Sequence, residues 1–425
     1  MPHKVTKIKK KMQKMNIQTL SFGCRLNALE SEKIAKMLVD VVDTAILVNT
    51  CSVTGEAERQ SAQTVRKLSR ENPNVLIFVT GCGATRNPTL FEKIPHVLVI
   101  DNSDKMDLSK YIDAIKNAKF NVSCPKIEVF RNAETPLSKK FVQIQNGCNH
   151  DCSYCVTRLL RGPSISFPYL EILNEVKSAT KHGFFEIVLT GVDTASYATI
   201  EHGKSFMLSD VCAGILRDVP EIKHLRLSSI DPASPQVPKI IDLMKTDVRF
   251  MPHLHLSMQS GSDTILSAMR RRHNAQKLRD IIKVADGGIS FGADVICGFP
   301  GETDNLFEET IELVGELKLI NVHAFPFSPR PNTLAATMPN QVPRDIAKKR
   351  VKIISDIVSK NRLEFMKKQI GKTVSVLVEE KNTGRTPDDI EIEIGDKIIP
   401  NKTICDVKII GINDDKFTGV FVKNT

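Results

Sequence analysis

Cys148, Cys152 and Cys155 form a C-x3-C-x2-C run inside one short stretch, QNGCNHDCSYC. Thiols this closely spaced can serve a single metal centre. A structural zinc site wants four ligands in tetrahedral geometry. No fourth cysteine or suitably spaced histidine closes such a site here, since His150 lies within the run itself. Iron–sulfur clusters are held by closely spaced thiolates. A four-iron cluster on three thiolates keeps one iron open, as a catalytic zinc keeps one position open. Three buried thiols without metal are the plain alternative. A second set, Cys24, Cys51 and Cys82, is spread out, with 26 and 30 residues between successive members. Each ends an apolar run, in FGC, NTC and TGC.

The elements around these cysteines must bring them together. Apolar runs at 17–22, 45–48, 75–79 and 97–100 read as strands, with amphipathic stretches at 27–40 and 53–70 between the first three. Strand–helix alternation predicts a parallel sheet covered by helices. The C-terminal ends of parallel strands share one edge, so Cys24, Cys51 and Cys82 are expected to converge there. Residues 111–136 read as a linker, with Pro125, Pro136 and no clean period.

From 141 to 335 the alternation repeats six times, with strand runs at 141–145, 186–190, 224–228, 253–258, 293–297 and 322–327. Helical patterns such as 169–181 and 305–318 follow them. Six βα units predict an open relative of the eight-unit barrel, with its chemistry on the loops after the strands. Those loops read NGC, LTGVD, SSIDP, QSGSD, CGFPGE and FSPR. A basic helical pattern spans 342–369. Strand-like runs at 374–378, 390–394, 398–399, 407–410 and 418–422 then predict a small antiparallel barrel. The expected fold is α/β. It comprises a basic, disordered tail at 1–15, an N-terminal parallel α/β domain at 16–110, the linker, a partial (βα)6 barrel with its basic helix at 137–369, and a small β-barrel at 370–425.

With 425 residues, 41% hydrophobic and 25% charged, the chain suits two to three domains that bury their own cores. Ten cysteines are too sparse for a disulfide scaffold. No apolar run approaches the ~18 residues of a membrane span, and no signal peptide is legible. A cytoplasmic, reducing location without membrane contact is expected. The net charge is +10, of which six Lys in residues 1–16 supply +6. Residues 344–368 carry nine Lys/Arg against three acids, and Arg270, Arg271 and Arg272 form a second cluster. Such patches suit a polyanionic partner such as RNA. The last barrel is acidic by contrast. Residues 371–425 hold eight basic and ten acidic residues, with Asp388 and Asp389 in the loop GRTPDD. Phosphate binding is therefore expected from 344–368 rather than from the barrel.

QNGCNHDCSYC resembles the first loop of radical S-adenosylmethionine (SAM) enzymes. The domain bearing FGCRLN, NTCSVT and TGC resembles the N-terminal domain of the methylthiotransferases, and the C-terminal strands resemble a TRAM domain. With VICGFPGET, these motifs follow in the family's order over residues 16–425. EAERQSAQ, LTGVDTASY and FPFSPRPNTLAATMPNQV look most like the branch acting on N6-threonylcarbamoyladenosine at position 37 of tRNA. The isopentenyladenosine branch tends to carry Gln-Asn where this chain has Val192 and Asp193.

The resemblance implies two [4Fe-4S] clusters. One would sit on Cys148, Cys152 and Cys155, with SAM chelated at its open iron. A donor such as a ferredoxin or flavodoxin would reduce it, and SAM would break to a 5′-deoxyadenosyl radical that attacks C2 of the adenine beside the anticodon. The other, on Cys24, Cys51 and Cys82, would supply a methylated sulfur, with a second SAM as methyl source. The same chemistry on isopentenyladenosine or a ribosomal protein is the alternative. A zinc-bearing RNA-binding protein without catalysis is the alternative of another class.

For SAM itself, the resemblance points to Tyr154 beside the adenine. Gly191 admits close backbone approach, and Ser229, Gln259 and Gly298 are similar candidates. Arg158, Arg161 and Arg330 offer guanidiniums to a SAM carboxylate, a tRNA phosphate or the module's own acids. Cys124, Cys212, Cys297 and Cys405 read as buried thiols, and His253 and His255 as packing residues.

Overall fold

Runs of Val, Ile and Leu separated by amphipathic stretches fold here as parallel sheets covered by helices. The computed structural model describes residues 16–52, 55–118, 138–395 and 397–424. The basic tail at 1–15 and Cys124 lie outside the described residues. The chain forms two units, residues 1–130 and 131–425.

The first unit runs β1 (Asn16–Ser21), α1 (Arg25–Leu38), β2 (Thr44–Thr50), α2 (Gly55–Glu71), β3 (Leu76–Gly81), α3 (Cys82–Arg86), α4 (Thr89–Glu92), β4 (Val97–Val99) and α5 (Leu108–Lys116). The four strands pair in parallel in chain order. Side-chain alternation divides the apolar residues between two faces. Ala45, Leu47, Leu76 and Phe78 pack with Ile34 and Leu38 of α1 and Tyr111 of α5. Ile46, Val48, Ile77 and Val79 pack with Ala62 and Val65 of α2 and Phe91 of α4. Helices α1 and α2 thus cover opposite faces although both crossovers step the same way across the sheet. One of them departs from the usual right-handed rule. Convergence of the strand ends therefore rests on parallel pairing alone.

Residues 111–116, expected to begin a linker, are helical. Asp107 caps α5 by accepting from the Ser109 N–H, and the buried Tyr111 ring meets Phe78 edge-on at 5.2 Å.

The second unit begins with β5 (Lys140–Gln143), β6 (Gln145–Asn146), α6 (Thr157–Arg161), β7 (Ile165–Ser166), α7 (Tyr169–Lys181), β8 (Glu186–Thr190), β9 (Ala198–Glu201), β10 (Lys204–Met207), α8 (Leu208–Asp218) and β11 (His224–Leu227). It continues with α9 (Val237–Thr246), β12 (His253–Gln259), α10 (Asp263–Ala268), α11 (Ala275–Ala285), β13 (Ser290–Cys297), α12 (Asp304–Glu316), β14 (Asn321–Pro326) and α13 (Arg344–Lys367). Strands β5, β8 and β11 pair in parallel, as do β12, β13 and β14. Isolated parallel bridges, Leu225 with Phe250 and Ile230 with Leu256, join the two sets. The result is the six-unit partial barrel that the sequence predicts. The hairpins β6–β7 and β9–β10 are additions within it.

Parity fixes which residues line the barrel interior. Ile187, Leu189, Leu225, Leu227, Leu254, Leu256, Ala293 and Val295 share a core with the helices. Their neighbours Glu186, Arg226, Ser228, His255 and Asp294 therefore point inward.

The C-terminal barrel closes in the order β15 (Thr373–Glu380), β16 (Thr383–Arg385), β17 (Glu391–Gly395), β19 (Lys416–Asn424), β18 (Ile404–Asn413). Three differences from the sequence reading stand out. Strands β17 and β19 pair in parallel. Residues 398–399 form no strand, with Ile398 exposed and only Ile399 turned into the core. The short β16 lacks the apolar alternation that would have revealed it. No described helix is long and apolar enough to cross a membrane.

The loop GRTPDD docks on the N-terminal ends of the central strands, opposite the cysteine loop. Arg226 donates to the carbonyls of Pro387 and Thr386 at 2.8 Å each, and His224 meets Ser375 Oγ at 2.9 Å. Arg226 and His224 also flank Glu186, which their charge and hydrogen bonding hold well below the usual carboxylate range despite its burial.

Candidate cluster and radical site

In the first unit, the cysteines follow three adjacent strands: Cys24 after β1, Cys51 after β2, Cys82 after β3. The flanking glycines register how closely the loops meet. A Cβ on Gly23 would lie 2.3 Å from Cys51 Sγ, and one on Gly83 would lie 2.9 Å from the Cys51 carbonyl. Only residues without a side chain let the three loops touch. Buried polar side chains tie them together. Asn27 donates to the carbonyls of Phe22 and Thr50, at 2.9 and 3.1 Å. Asn49 donates to the Asn27 carbonyl at 3.0 Å. Thr50 Oγ1 donates to the Thr80 carbonyl and accepts from the Ala84 N–H. Cys51 is buried, Cys82 half-buried and Cys24 exposed, so the group opens to solvent on one side. The supporting Asn27, Asn49 and Thr50 were missed in the sequence; their signal was the polar pair NT directly after the apolar run 45–48 and the Asn that opens the amphipathic stretch 27–40.

In the second unit, the loop after β6 holds the other three cysteines. Each sulfur accepts a hydrogen bond. Cys148 Sγ takes one from the His150 N–H at 3.4 Å, Cys155 Sγ from the Thr157 N–H at 3.4 Å, and Cys152 Sγ from the Arg271 guanidinium at 3.3 Å. Donors aimed at all three sulfurs are what cluster thiolates use to set their potential. Burial pushes the Cys148 thiol up to about 11 and raises that of Cys155, so ligation must displace these protons. The donor set thus fits a thiolate-bound cluster. The loop is pinned through Ser153, whose hydroxyl donates to the Ala268 carbonyl and whose own carbonyl accepts from Ala335. The half-buried Tyr154 meets Phe299 edge-on at 6.5 Å.

Around the loop the interior is polar. Asp231 pairs with Arg271 at 2.9 Å and Arg272 at 3.4 Å, and these charges hold its carboxyl low in spite of burial. Arg270 pairs with Asp151. The Arg270–Arg272 run read as an RNA patch is therefore largely engaged with acids of its own module. Arg158 pairs with Asp151 at 3.7 Å and Arg161 donates to Asn146 at 3.1 Å. Arg330 is buried just after β14.

The expected SAM contacts divide. Gln259 ends β12 with a left-handed φ of 71°, a strained state for a non-glycine residue that is retained most often at functional sites. A Cβ on Gly191 would crowd Gln145, and one on Gly298 would lie 2.5 Å from Ala347 Cβ on α13. Packing accounts for both glycines. The Ser229 carbonyl accepts from Thr194 Oγ1. It is Ser228 that parity turns inward, and Ser228 Oγ, Ser262 Oγ, Arg271 Nε and His273 Nδ1 are buried without a hydrogen-bond partner among the described residues. Orphaned polar atoms gathered at the strand ends fit a polar ligand there. The Leu225/Leu227 alternation was the overlooked signal for Ser228.

Cys212, Cys297 and Cys405 are buried, as expected. His253 packs, with Nδ1 at 2.9 Å from Ser290 Oγ, and burial lowers its titration to about 3. His255 does more than pack. Together with Asp294 and His323 it forms one of two described groups, the other being Cys148, His150 and Asp193, whose donor atoms lie within 4.8 Å of one another, close enough to share an ion.

Helix α13 carries its charge outward. Arg344, Lys348, Lys349, Lys352, Lys360, Lys367 and Lys368 are exposed. Arg350 is not available to a partner: it is buried, bound to Glu302 and Asp304 at 2.7 Å each. Arg362 is half-buried and donates to the Asp415 carbonyl.

A family model described as "Radical SAM superfamily" matches residues 142–314, and one described as "Uncharacterized protein family UPF0004" matches residues 14–101. A threonylcarbamoyladenosine tRNA methylthiotransferase of Rickettsia prowazekii is 39% identical over 95% of this chain and 97% of its own length. One of Bacillus subtilis is 30% identical over 85% and 84%. A tRNA-2-methylthio-N(6)-dimethylallyladenosine synthase of Polynucleobacter asymbioticus is 32% identical over 87% of each chain. Among solved structures, the radical SAM methyltransferase TsrM of Kitasatospora setae, with cobalamin and a [4Fe-4S] cluster bound, matches with a TM-score of 0.57 and 13% identity, over 75% of this chain and 76% of its own. That likeness concerns the fold. Relatives matched nearly end to end at this identity place the chain in the family of radical SAM tRNA methylthiotransferases.

Proposed function

We propose that the protein adds a methylthio group to C2 of N6-threonylcarbamoyladenosine at position 37 of tRNA. In this reading one [4Fe-4S] cluster sits on Cys148, Cys152 and Cys155 and an auxiliary one on Cys24, Cys51 and Cys82. The observation that carries it is the pair of cysteine triplets, each gathered at strand C-terminal ends in its own unit. The 39%-identical relative of that name supports the substrate. A ferredoxin- or flavodoxin-type protein is the proposed electron donor.

When bound, a reduced cluster and SAM supply one-electron chemistry that reaches a C–H bond inert to acids and bases. The chain's own residues do the rest. Arg271 holds the Cys152 sulfur and the Asp231 carboxylate in one hydrogen-bonded set. Ser153 fixes the loop between its neighbours. Tyr154, Phe299 and Phe327 wall the strand ends with aromatic rings and keep water from the reacting groups. Ser228, Ser262 and Gln259 offer polar groups to SAM.

The purified, anaerobically reconstituted enzyme should convert threonylcarbamoyladenosine in tRNA to its 2-methylthio derivative, read by mass spectrometry of the nucleosides. Product formed only from dimethylallyladenosine would overturn the substrate assignment.

For tRNA affinity, α13 carries more than the terminal barrel, because its exposed Lys and Arg face solvent while the barrel is net acidic. Replacing Lys348, Lys349 and Lys352 by Gln should weaken binding and flatten the slope of log K against log salt by roughly two to three. An unchanged slope would place the phosphates elsewhere.

A further inference from the structure

Both polar and aliphatic N6 substituents occur among the substrates named for similar proteins. Some group in the shared scaffold must tell them apart. Three polar side chains on adjacent strands stand where such a reader is needed. His255 on β12, Asp294 on β13 and His323 on β14 all point into the barrel, because Leu254 and Leu256, Ala293 and Val295, and Val322 and Ala324 pack outward against the helices. Asp294 and His323 are register partners, and His255 stands beside Gly292, one inward position lower.

Both imidazoles converge on one carboxylate oxygen. His255 Nε2 lies 3.1 Å and His323 Nδ1 3.3 Å from Asp294 Oδ1, with the rings 4.9 Å apart. Gly292 sets this geometry: a Cβ there would lie 2.8 Å from His255 Nδ1. The two imidazoles hold the Asp294 carboxyl well below its ordinary range, against a burial that would raise it. His255 is buried and Asp294 half-buried, while the His323 side chain is 63% exposed on the terminal strand of its sheet. A ligand can therefore reach the group without unfolding anything.

The group also lies at the right depth. Ser257 is the next inward residue of β12 after His255, and its carbonyl accepts from Arg271, the residue bonded to Cys152 Sγ. Two residues of strand are roughly 6–7 Å. On adenine, C2 and C6 flank N1, so a base with C2 presented at the strand ends carries its N6 substituent a few ångströms away.

We infer that His255, Asp294 and His323 form the subsite that reads the N6 substituent of the target adenine. The subsite accepts a hydrogen-bonding substituent with carbamoyl, hydroxyl and carboxylate groups and rejects an aliphatic one. The imidazoles and the carboxylate can serve donors and acceptors of the first, whereas a dimethylallyl group would take their water from them and offer no hydrogen bond in return. This rests on the function proposed above, and the test separates the two.

The test uses the holoenzyme and anticodon stem-loops carrying threonylcarbamoyladenosine, dimethylallyladenosine or plain adenosine at position 37. Affinity, kcat and KM for methylthiolation, and RNA-independent release of 5′-deoxyadenosine are measured for the parent, His323→Phe, His323→Gln and Asp294→Asn. The parent should prefer the threonylcarbamoyl stem-loop. His323→Phe should lower that preference by about 10- to 100-fold, mostly through KM, with deoxyadenosine release and affinity for the plain stem-loop unchanged. His323→Gln should restore part of it, and Asp294→Asn should lower it as well. A parent enzyme that prefers dimethylallyladenosine overturns the function and this subsite together. A parent that prefers threonylcarbamoyladenosine, with ratios unmoved in His323→Phe and Asp294→Asn, overturns the subsite alone.

Discussion

Replacement of Cys148, Cys152 and Cys155 together by Ala should remove about half of the iron and sulfide of the reconstituted protein and abolish SAM cleavage. The expectation follows from the geometry of one loop. All three sulfurs receive hydrogen bonds from fixed donors, two of them backbone N–H groups that no substitution removes. The loop is pinned through Ser153 rather than through the cysteines. The triple variant should therefore fold, and its remaining iron should report on the first unit alone. Anaerobic iron and sulfide analysis, with chromatographic detection of 5′-deoxyadenosine after reduction, reads both outcomes. Retained SAM cleavage would remove the radical site from this loop. Retention of the full iron content would remove the cluster from it.

What could be read from the sequence was what periodicity and punctuation encode. The six inner strands were legible because Ile, Leu and Val mark the helix-facing side of each, and the cysteines could be placed because strand ends are where the apolar runs stop. Contacts between residues far apart in sequence were not legible. Arg271 was read as one of three arginines in a patch suited to RNA, yet its side chain is 7% exposed and joins Asp231 to Cys152. Arg350 counted toward a phosphate-binding face, but Glu302, forty-eight positions away, claims it. Gly298 was expected beside SAM, and Ala347 of α13 explains the missing side chain. His255 was expected to pack like His253, because nothing in HLHLSMQ distinguishes two alternate inward positions. Only the neighbouring strands put Ser290 beside one and Asp294 beside the other. The acidic GRTPDD loop looked unsuited to an RNA-binding barrel. Its docking against Arg226 accounts for it as part of the barrel's seat on the central strands.

Replacement of Cys51 alone by Ala should separate two reactions that the parent enzyme couples. Cys51 is buried, and its Sγ fills the space beside Gly23. Were it only a packed thiol, losing one sulfur atom would cost about 1 kcal/mol, and activity would follow the fraction folded. Asn27, Asn49 and Thr50 hold the three loops without help from the thiol, so the edge should keep its shape in the variant. If Cys51 is a ligand, a cluster left with two thiolates should be lost or become labile. The loop of Cys148, Cys152 and Cys155 belongs to the other unit and keeps its own supports. The reduced variant should thus still cleave SAM to 5′-deoxyadenosine at near the parent rate while forming no 2-methylthio product on tRNA. Measuring both products in one reaction scores methylthiolation against molecules whose second unit is folded and active. Methylthiolation by Cys51→Ala at near the parent rate would show that the first unit does not supply the sulfur.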